Sequence, residues 1–333
     1  MNQVNCLNQS ILQKIKLAQE AQILEPVKIG QTKKQNELVF FIKPELVNVE
    51  DEKLINSLKL IKAKFLEFIV EISGVAIVPG AILEKNETMN RHYGYINQLS
   101  REASKLVDSQ VRERMFDVIN KQDNNKHVVL GGHEFLKFFD TNMSTLSDRW
   151  FAQTANKLRS GFYFIEDKFN GHPILLVNGF HPSQLGHFTK KEHRILLLLL
   201  HTDTDWYKLK FDMVGDTFPE QAKPESIRGM LFNDPEHYGQ KEVGINTNGV
   251  HLSAGPYEAA FEVVNFFGPL LNIHPEETPP LAIRRAVDDG LSSQKALSCL
   301  ENPPVNGSDL FTETENMNTQ TAVDFFLDRM GKT

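Results

Sequence analysis

Cysteine is scarce in this chain of 333 residues: Cys6 and Cys299 are the two, too few and too far apart for a disulfide framework or a thiolate zinc site. That usage fits a reducing compartment. Basic charge is also in the minority, with 36 Lys and Arg against 43 Asp and Glu and a net of −7. No cationic surplus exists to neutralise a nucleic-acid backbone or an anionic membrane. Long hydrophobic runs are missing as well: the longest, residues 195–200, spans six positions, and the stretch 65–83 is broken by Glu67, Glu71, Ser73 and Pro79. No membrane span is expected. The first twenty residues lack a continuous apolar core and no arginine precedes Arg91, so neither a secretory signal nor an Arg-rich transit peptide is expected. The expected location is the cytoplasm, with neither nucleic acid nor membrane as partner.

What is present is ordinary globular material, 41% hydrophobic and 24% charged, enough for a sizeable core. At ~150 residues per domain, the length allows two domains or one domain with large insertions. Residues 1–36 are polar and read as an N-terminal extension. A buried strand is expected at 38–42, closed by Lys43-Pro44, and Asp51 opens a long amphipathic helix whose apolar residues recur with a 3.6 period through Ile69. Gly74 is expected to stop that helix, and 75–83 to form a second strand bent at Pro79-Gly80. Beyond residue 100 the pattern predicts a helix at 111–122, a turn at Asp123-Asn124-Asn125, helices at 133–140 and 144–158, and a hairpin around Asn170-Gly171. A very apolar strand at 195–200 follows, then a helix at 205–214, a Pro-containing loop at 215–229, an extended piece at 248–251 and a helix at 256–267. Helices at 280–290, 292–300 and 321–330 complete the pattern.

Several chemical templates fail. His187 and His193 flank Lys-Lys-Glu without the helical zinc spacing, and Asp203 and Asp205 start a calcium-loop pattern in which Val214 stands where a bidentate Glu is needed. No Gly-rich phosphate loop, Ser elbow or kinase catalytic loop occurs. Asn178 to His187, with Gly179, Pro182 and Gly186, reads as a structural turn before it reads as a binding loop. More informative is Asn248-Gly249-Val250-His251-Leu252-Ser253, followed by Glu262. A histidine at a strand end, with a hydroxyl two residues on and a carboxylate eleven on, is placed for neighbours to fix the ring. Taken alone, that spacing describes a hydrogen-bonded loop histidine before it describes a reactive one.

The wider order of residues carries more. Phe41-Ile42-Lys43-Pro44-Glu45, His92-Tyr93, Val214-Gly215-Asp216-Thr217-Phe218-Pro219, Lys223-Pro224-Glu225-Ser226-Ile227-Arg228-Gly229 and Asn248-Gly249-Val250-His251 together resemble the nucleoside diphosphate kinase family in order and spacing. The match runs without a gap from Gly215 to Gly229, and Glu262 with the closing Phe266-Phe267 continues it. The resemblance covers residues 37–100 and 192–268. It sets 101–191 apart as a mostly helical insertion containing the hairpin, and 269–333 as a helical C-terminal extension. What it implies is an α+β fold with a ferredoxin-like βαββαβ core, and ping-pong transfer of a γ-phosphoryl group from ATP or another nucleoside triphosphate to a nucleoside diphosphate through a phosphohistidine. His251 matches the nucleophile, and Glu262 and Ser253 the residues that orient and polarise it. Lys43, Thr217, Arg228 and Asn248 match phosphate and ribose contacts, and Tyr93 a residue near the γ-phosphate. Mg²⁺ would arrive on the nucleotide phosphates and need no direct protein ligand. Family members assemble as hexamers or tetramers, so the resemblance admits a homo-oligomer, although the insertion and extension could block those contacts.

The sequence also departs from the family. Where a second phosphate-binding arginine is usual, four residues before Gly215, this chain has Phe211, with Lys210 beside it as the residue that could replace it. One lost charge-assisted hydrogen bond costs about 1.5–3 kcal/mol, roughly 10- to 150-fold in transition-state stabilisation. Lysine offers a point charge where arginine offers a fork, so replacement would be partial. Leu252 and Ala254 stand where small and acidic residues usually flank the nucleophile, and the aromatic that stacks on the base has no assignable counterpart. Two readings follow: a working kinase, or a catalytically weak nucleotide-binding scaffold or regulator on the same fold.

Overall fold

Strand-forming runs from distant parts of the sequence meet in one antiparallel sheet: β1 (Gln22–Glu25), β2 (Asn36–Ile42), β3 (Glu71–Pro79), β4 (Arg194–Thr202) and β5 (Val250–Leu252). Their order across the sheet is β1-β3-β4-β2-β5, and every neighbouring pair is antiparallel. In this computed structural model the described residues are 11–122, 126–159, 161–305 and 307–330. Cys6 and the expected turn at 123–125 lie outside them. The chain is α+β. Its residues fall into two compact units, one made of Met1–Asn86 with Lys190–Thr333, the other of Glu87–Thr189.

Register explains why β2 and β4 read as unbroken apolar runs. Leu38, Phe40 and Ile42 lie opposite Leu200, Leu198 and Leu196, and all six join the core formed with Leu54, Leu58, Ile61 and Phe65 of helix α1 (Asp51–Glu67). The alternate residues Val39, Phe41, Leu197 and Leu199 are buried too. Both sheet faces are therefore covered, and a strand buried on both faces loses its polar alternation.

Three expectations are corrected here. Helix α1 ends at Glu67 and not at Gly74: Ile69 adopts a left-handed φ of 53° while Val70 N–H reaches the Phe65 carbonyl at 2.8 Å. That closure usually uses glycine, and a side-chain-bearing residue there costs about 1–2 kcal/mol. Gly74 lies inside β3 at a bulge, and β3 ends at Pro79, where the helix Gly80–Lys85 begins. Nor are residues 1–36 a separate extension in their described part. The helix Ile11–Leu17 buries Ile11, Leu12 and Ile15 in the main core, and Arg194 Nε donates to the Ala18 carbonyl at 2.9 Å.

The second unit begins at Glu87, ahead of the expected insertion start at 101, so it includes Tyr93. Its sheet runs Val128–Gly131, His172–Val177, Phe162–Phe169, Asn156–Arg159, with the first pair parallel and the others antiparallel. Phe162, Phe164, Leu175 and Val177 pack on one face with Leu99 and Phe116; Ile165, Ile174 and Leu176 pack on the other with Phe135 and Trp150. Asn170 and Gly171 both take positive φ, 48° and 83°, in a two-residue loop between paired Phe169 and His172. That backbone matches the twist of the hairpin strands. The helix expected at 144–158 stops at Phe151, and Asn156–Arg159 is an edge strand. Asn178 is buried, accepts Tyr163 N–H and donates to the Gly161 carbonyl, which makes its loop structural.

Helix α2 (Ile227–Asn233) lies between β4 and β5; beyond β5, helix α3 (Pro256–Glu262) buries Tyr257 and Ala260 against Ile283, Ala286 and Val323, tying the C-terminal helices Leu281–Asp288 and Thr319–Met330 into the first unit. No helix among the described residues is long and apolar enough to cross a membrane.

Candidate active site

His251 sits in the middle of β5, directly opposite Phe41 of β2. Residues paired across strands share a face, and the two rings stack with centroids 4.4 Å apart and planes 17° from parallel. Imidazole Nε2 lies 2.7 Å from Oε1 of Glu262, which ends α3 and is fully buried. The other carboxylate oxygen accepts from Ser253 Oγ at 2.5 Å, and that hydroxyl in turn receives Val39 N–H at 2.9 Å. A carboxylate that only accepts places the ring proton on Nε2. The nitrogen that Glu262 does not hold is Nδ1. Burial first, and then the charges of Lys43, Arg228 and Lys210, hold the His251 pKa well below its ordinary value. The ring is therefore neutral, the nucleophilic form, at pH 7.

Cations gather at the same strand end because β2 stops at Ile42 and delivers Lys43 beside the loop that enters β5. Lys43 is buried, its backbone N–H donates to the Gly249 carbonyl at 2.9 Å, and its Nζ donates to Asn248 Oδ1 at 2.7 Å. Burial pushes its pKa down to about 8, against the pull of Glu45. Asn248 Nδ2 donates to the Thr217 carbonyl at 3.2 Å, which brings the exposed loop at Thr217 into the set. Gly249 turns the chain with φ 83°, and a Cβ there would lie 2.5 Å from Leu231 Cδ1. Only glycine fits.

Arg228 lies in the first turn of helix α2 (Ile227–Asn233), not in a loop running through to Gly229, because Ser226 caps that helix by accepting Gly229 N–H at 3.1 Å. Its Nη1 donates to the Gly215 carbonyl at 3.0 Å and its Nη2 to the Val250 carbonyl at 2.9 Å. Burial lowers its pKa to about 10, so the guanidinium keeps its charge at pH 7. Its buried Nε makes no hydrogen bond among the described residues. A buried donor of that kind calls for an acceptor.

Lys210, whose charge also bears on His251, enters the site already paired. It is held by Glu315, from the segment before the last helix, and lies 5.5 Å from the centre of the Phe211 ring, which packs on Tyr207 at 4.5 Å. Asn316 N–H also reaches the Ala254 carbonyl at 2.9 Å, so the C-terminal segment lies along the turn after Ser253. Tyr93 belongs to the second unit, at the end of the helix Thr88–His92, with its ring edge-on to His181 and tilted against Phe188.

Thus His251, Glu262, Ser253, Lys43, Asn248, Thr217 and Arg228 come together on the first unit. Sequence reasoning quoted Phe41 and Glu45 without a role and passed over Glu258 and Glu315. Glu45 Oε1 accepts Gly249 N–H at 3.0 Å, and Glu258, one turn before Glu262, accepts Ala254 N–H at 2.9 Å. Burial and the Glu262 charge push the Glu258 pKa up to about 8. Its spacing from Glu262, four residues along one helix, was the available signal. Glu315 offered none. Among known proteins, no family model matches this chain and no curated protein matches it.

Proposed function

We propose that the chain is a nucleoside diphosphate kinase, moving the γ-phosphoryl group of a nucleoside triphosphate to a nucleoside diphosphate through His251. The observation that carries this reading is a neutral histidine braced through Nε2 by the buried Glu262–Ser253 pair, with the buried cations Lys43 and Arg228 close enough to depress its pKa. The sheet supports it as well. Strands β3-β4-β2-β5, with α1 between β2 and β3 and α2 between β4 and β5, follow the order of a ferredoxin-like βαββαβ core.

In the first half-reaction, Nδ1 attacks the γ-phosphorus of the triphosphate. The bond from that phosphorus to the β,γ-bridging oxygen breaks, and the diphosphate leaves with those electrons. Charge building on the imidazole is met by Glu262 through Nε2, and charge on the phosphoryl oxygens by Arg228 and Lys43. Mg²⁺ enters as part of the substrate, on the nucleotide phosphates. In the second half-reaction, a terminal oxygen of another nucleoside diphosphate attacks the phosphohistidine, the N–P bond breaks and its electrons return to Nδ1. Contacts to phosphate and sugar leave the base little recognised.

Incubation with γ-labelled ATP and Mg²⁺ should give an acid-labile phosphoryl adduct, which GDP then removes as GTP; His251→Ala should take up none. Equal labelling of wild type and His251→Ala would rule the mechanism out. The second reading, a binding scaffold, is favoured by Phe211 and by the capture of Lys210 by Glu315. Nucleotide binding without transfer to any diphosphate would select it.

A further inference from the structure

A second hydrogen-bonded set of serine, histidine and glutamate occupies the far end of the same sheet. Ser73 Oγ lies 2.6 Å from His201 Nδ1, and His201 Nε2 lies 2.9 Å from Glu37 Oε2. The two Glu37 oxygens also accept Gly30 N–H at 2.6 Å and Leu281 N–H at 2.7 Å. Glu37 therefore acts as an acceptor on both oxygens, which places the ring proton on Nε2 and makes Nδ1 the acceptor for the Ser73 hydroxyl. That is the order in which a base activates a hydroxyl nucleophile and a carboxylate orients the base.

Two further features of the fold lead to the same place. Ser73 is the extra residue of the β3 bulge, between Ile72 opposite Leu200 and Gly74 opposite Leu199, and a bulge turns a side chain out of the regular alternation. Ser73 and His201 also line a cavity of about 760 Å³, a size usual for small-molecule sites. The cavity lining is apolar at Phe65, Val70 and the exposed Leu66 and Ile69, and cationic at Lys28, Lys33 and Lys34. Lys34 is tied to Glu71 and Asp203, so Lys28 and Lys33 bring the charge available to an anionic group.

We propose that Ser73, His201 and Glu37 form a second, hydrolytic site that cleaves a carboxylic ester with an apolar acyl chain and an anionic alcohol portion. Ser73 Oγ adds to the ester carbonyl as its proton passes to His201 Nδ1. The intermediate collapses with loss of the alcohol, which takes that proton, and leaves an ester on Ser73. Water then adds to the acyl carbonyl as one of its protons passes to Nδ1, the bond from the acyl carbon to Ser73 Oγ breaks, Oγ takes that proton, and the carboxylic acid departs. Glu37 holds His201 in the needed tautomer throughout, and the lysines of the lining offset the charge of the anionic alcohol portion.

The test uses the full chain, an alkyl fluorophosphonate probe and p-nitrophenyl butyrate. Expected is one covalent adduct on the peptide containing Ser73, none in Ser73→Ala, and release of p-nitrophenolate that falls by about 10²–10⁴-fold in His201→Asn. An adduct on a different residue, no adduct, or equal ester turnover by Ser73→Ala overturns the proposal. Should Ser73→Ala fail to fold, the position of the adduct on the wild-type chain decides alone.

Discussion

At one end of β2, Ser253 bonds Glu262 and Glu262 bonds His251; at the other end, Glu37 bonds His201 and His201 bonds Ser73. Both histidines pair with β2 residues of the same parity, Phe41 and Glu37, so both sets lie on one face of one sheet. The residue types are identical and the wiring is opposite. In the proposed kinase, the carboxylate in the middle makes serine a support and the imidazole the reacting group. In the proposed hydrolytic site, the histidine in the middle makes the imidazole the base and the serine oxygen the nucleophile. The surroundings of each set differ as well: the first has buried Lys43 and Arg228, and the second a cavity lined by both apolar residues and lysines.

The hardest blow to the first set, after loss of His251 itself, should come from Arg228→Lys. Lysine lacks the rigid fork that holds the Gly215 and Val250 carbonyls while keeping Nε for a further acceptor, and phosphotransfer should fall by 10- to 150-fold, about 1.5–3 kcal/mol. Steady-state kinetics showing less than a threefold change would mean that Arg228 is a structural strut. Next in size is a pH effect. Lys43, with its pKa lowered to about 8, is charged below that pH and neutral above it. If only the charged form binds phosphate, nucleotide Kd should weaken by up to about tenfold between pH 7 and pH 9. A Kd flat across that range would remove Lys43 from the binding set.

Wiring order itself is sharpened by Ser253→Ala. Because Ser253 supports a carboxylate that keeps its bond to His251, this change should lower phosphotransfer only about three- to tenfold, the size of one net hydrogen bond. Complete loss would show that Ser253 does more than support Glu262. Smallest, and of opposite sign, is Glu315→Gln. Releasing Lys210 from a partly exposed ion pair frees a cation near His251 and should raise phosphotransfer about two- to fivefold, about 0.5–1 kcal/mol. A fall in rate would show that Glu315 holds Lys210 in a useful position.

Much of the fold could be read from the sequence where a local rule had no competitor. β2 and β4 announce themselves as apolar runs because both faces are buried, and Asn170-Gly171 announces the hairpin because both residues accept positive φ. Ile69 and Gly74 misled in opposite directions: a β-branched residue took the helix-ending conformation usual for glycine, and the glycine sat in a strand bulge. β1, four residues long and largely exposed, has no apolar signature, so its place at the sheet edge is decided by pairing with β3 alone. At the candidate site, His251, Ser253 and Glu262 lie within twelve residues of one another and could be grouped by spacing. Lys210 with Glu315, and Ser73 with His201 and Glu37, are joined only by tertiary structure, and nothing local marks them.

The central claim is that a phosphoryl group resides on Nδ1 of His251 between the two half-reactions. It is tested most directly by loading the chain with γ-labelled ATP and Mg²⁺, digesting under alkaline conditions and locating the label by tandem mass spectrometry and phosphorus NMR. The account predicts a single adduct on His251, on Nδ1, discharged on addition of a nucleoside diphosphate. An adduct on Nε2, on another residue, or no adduct at all would contradict it.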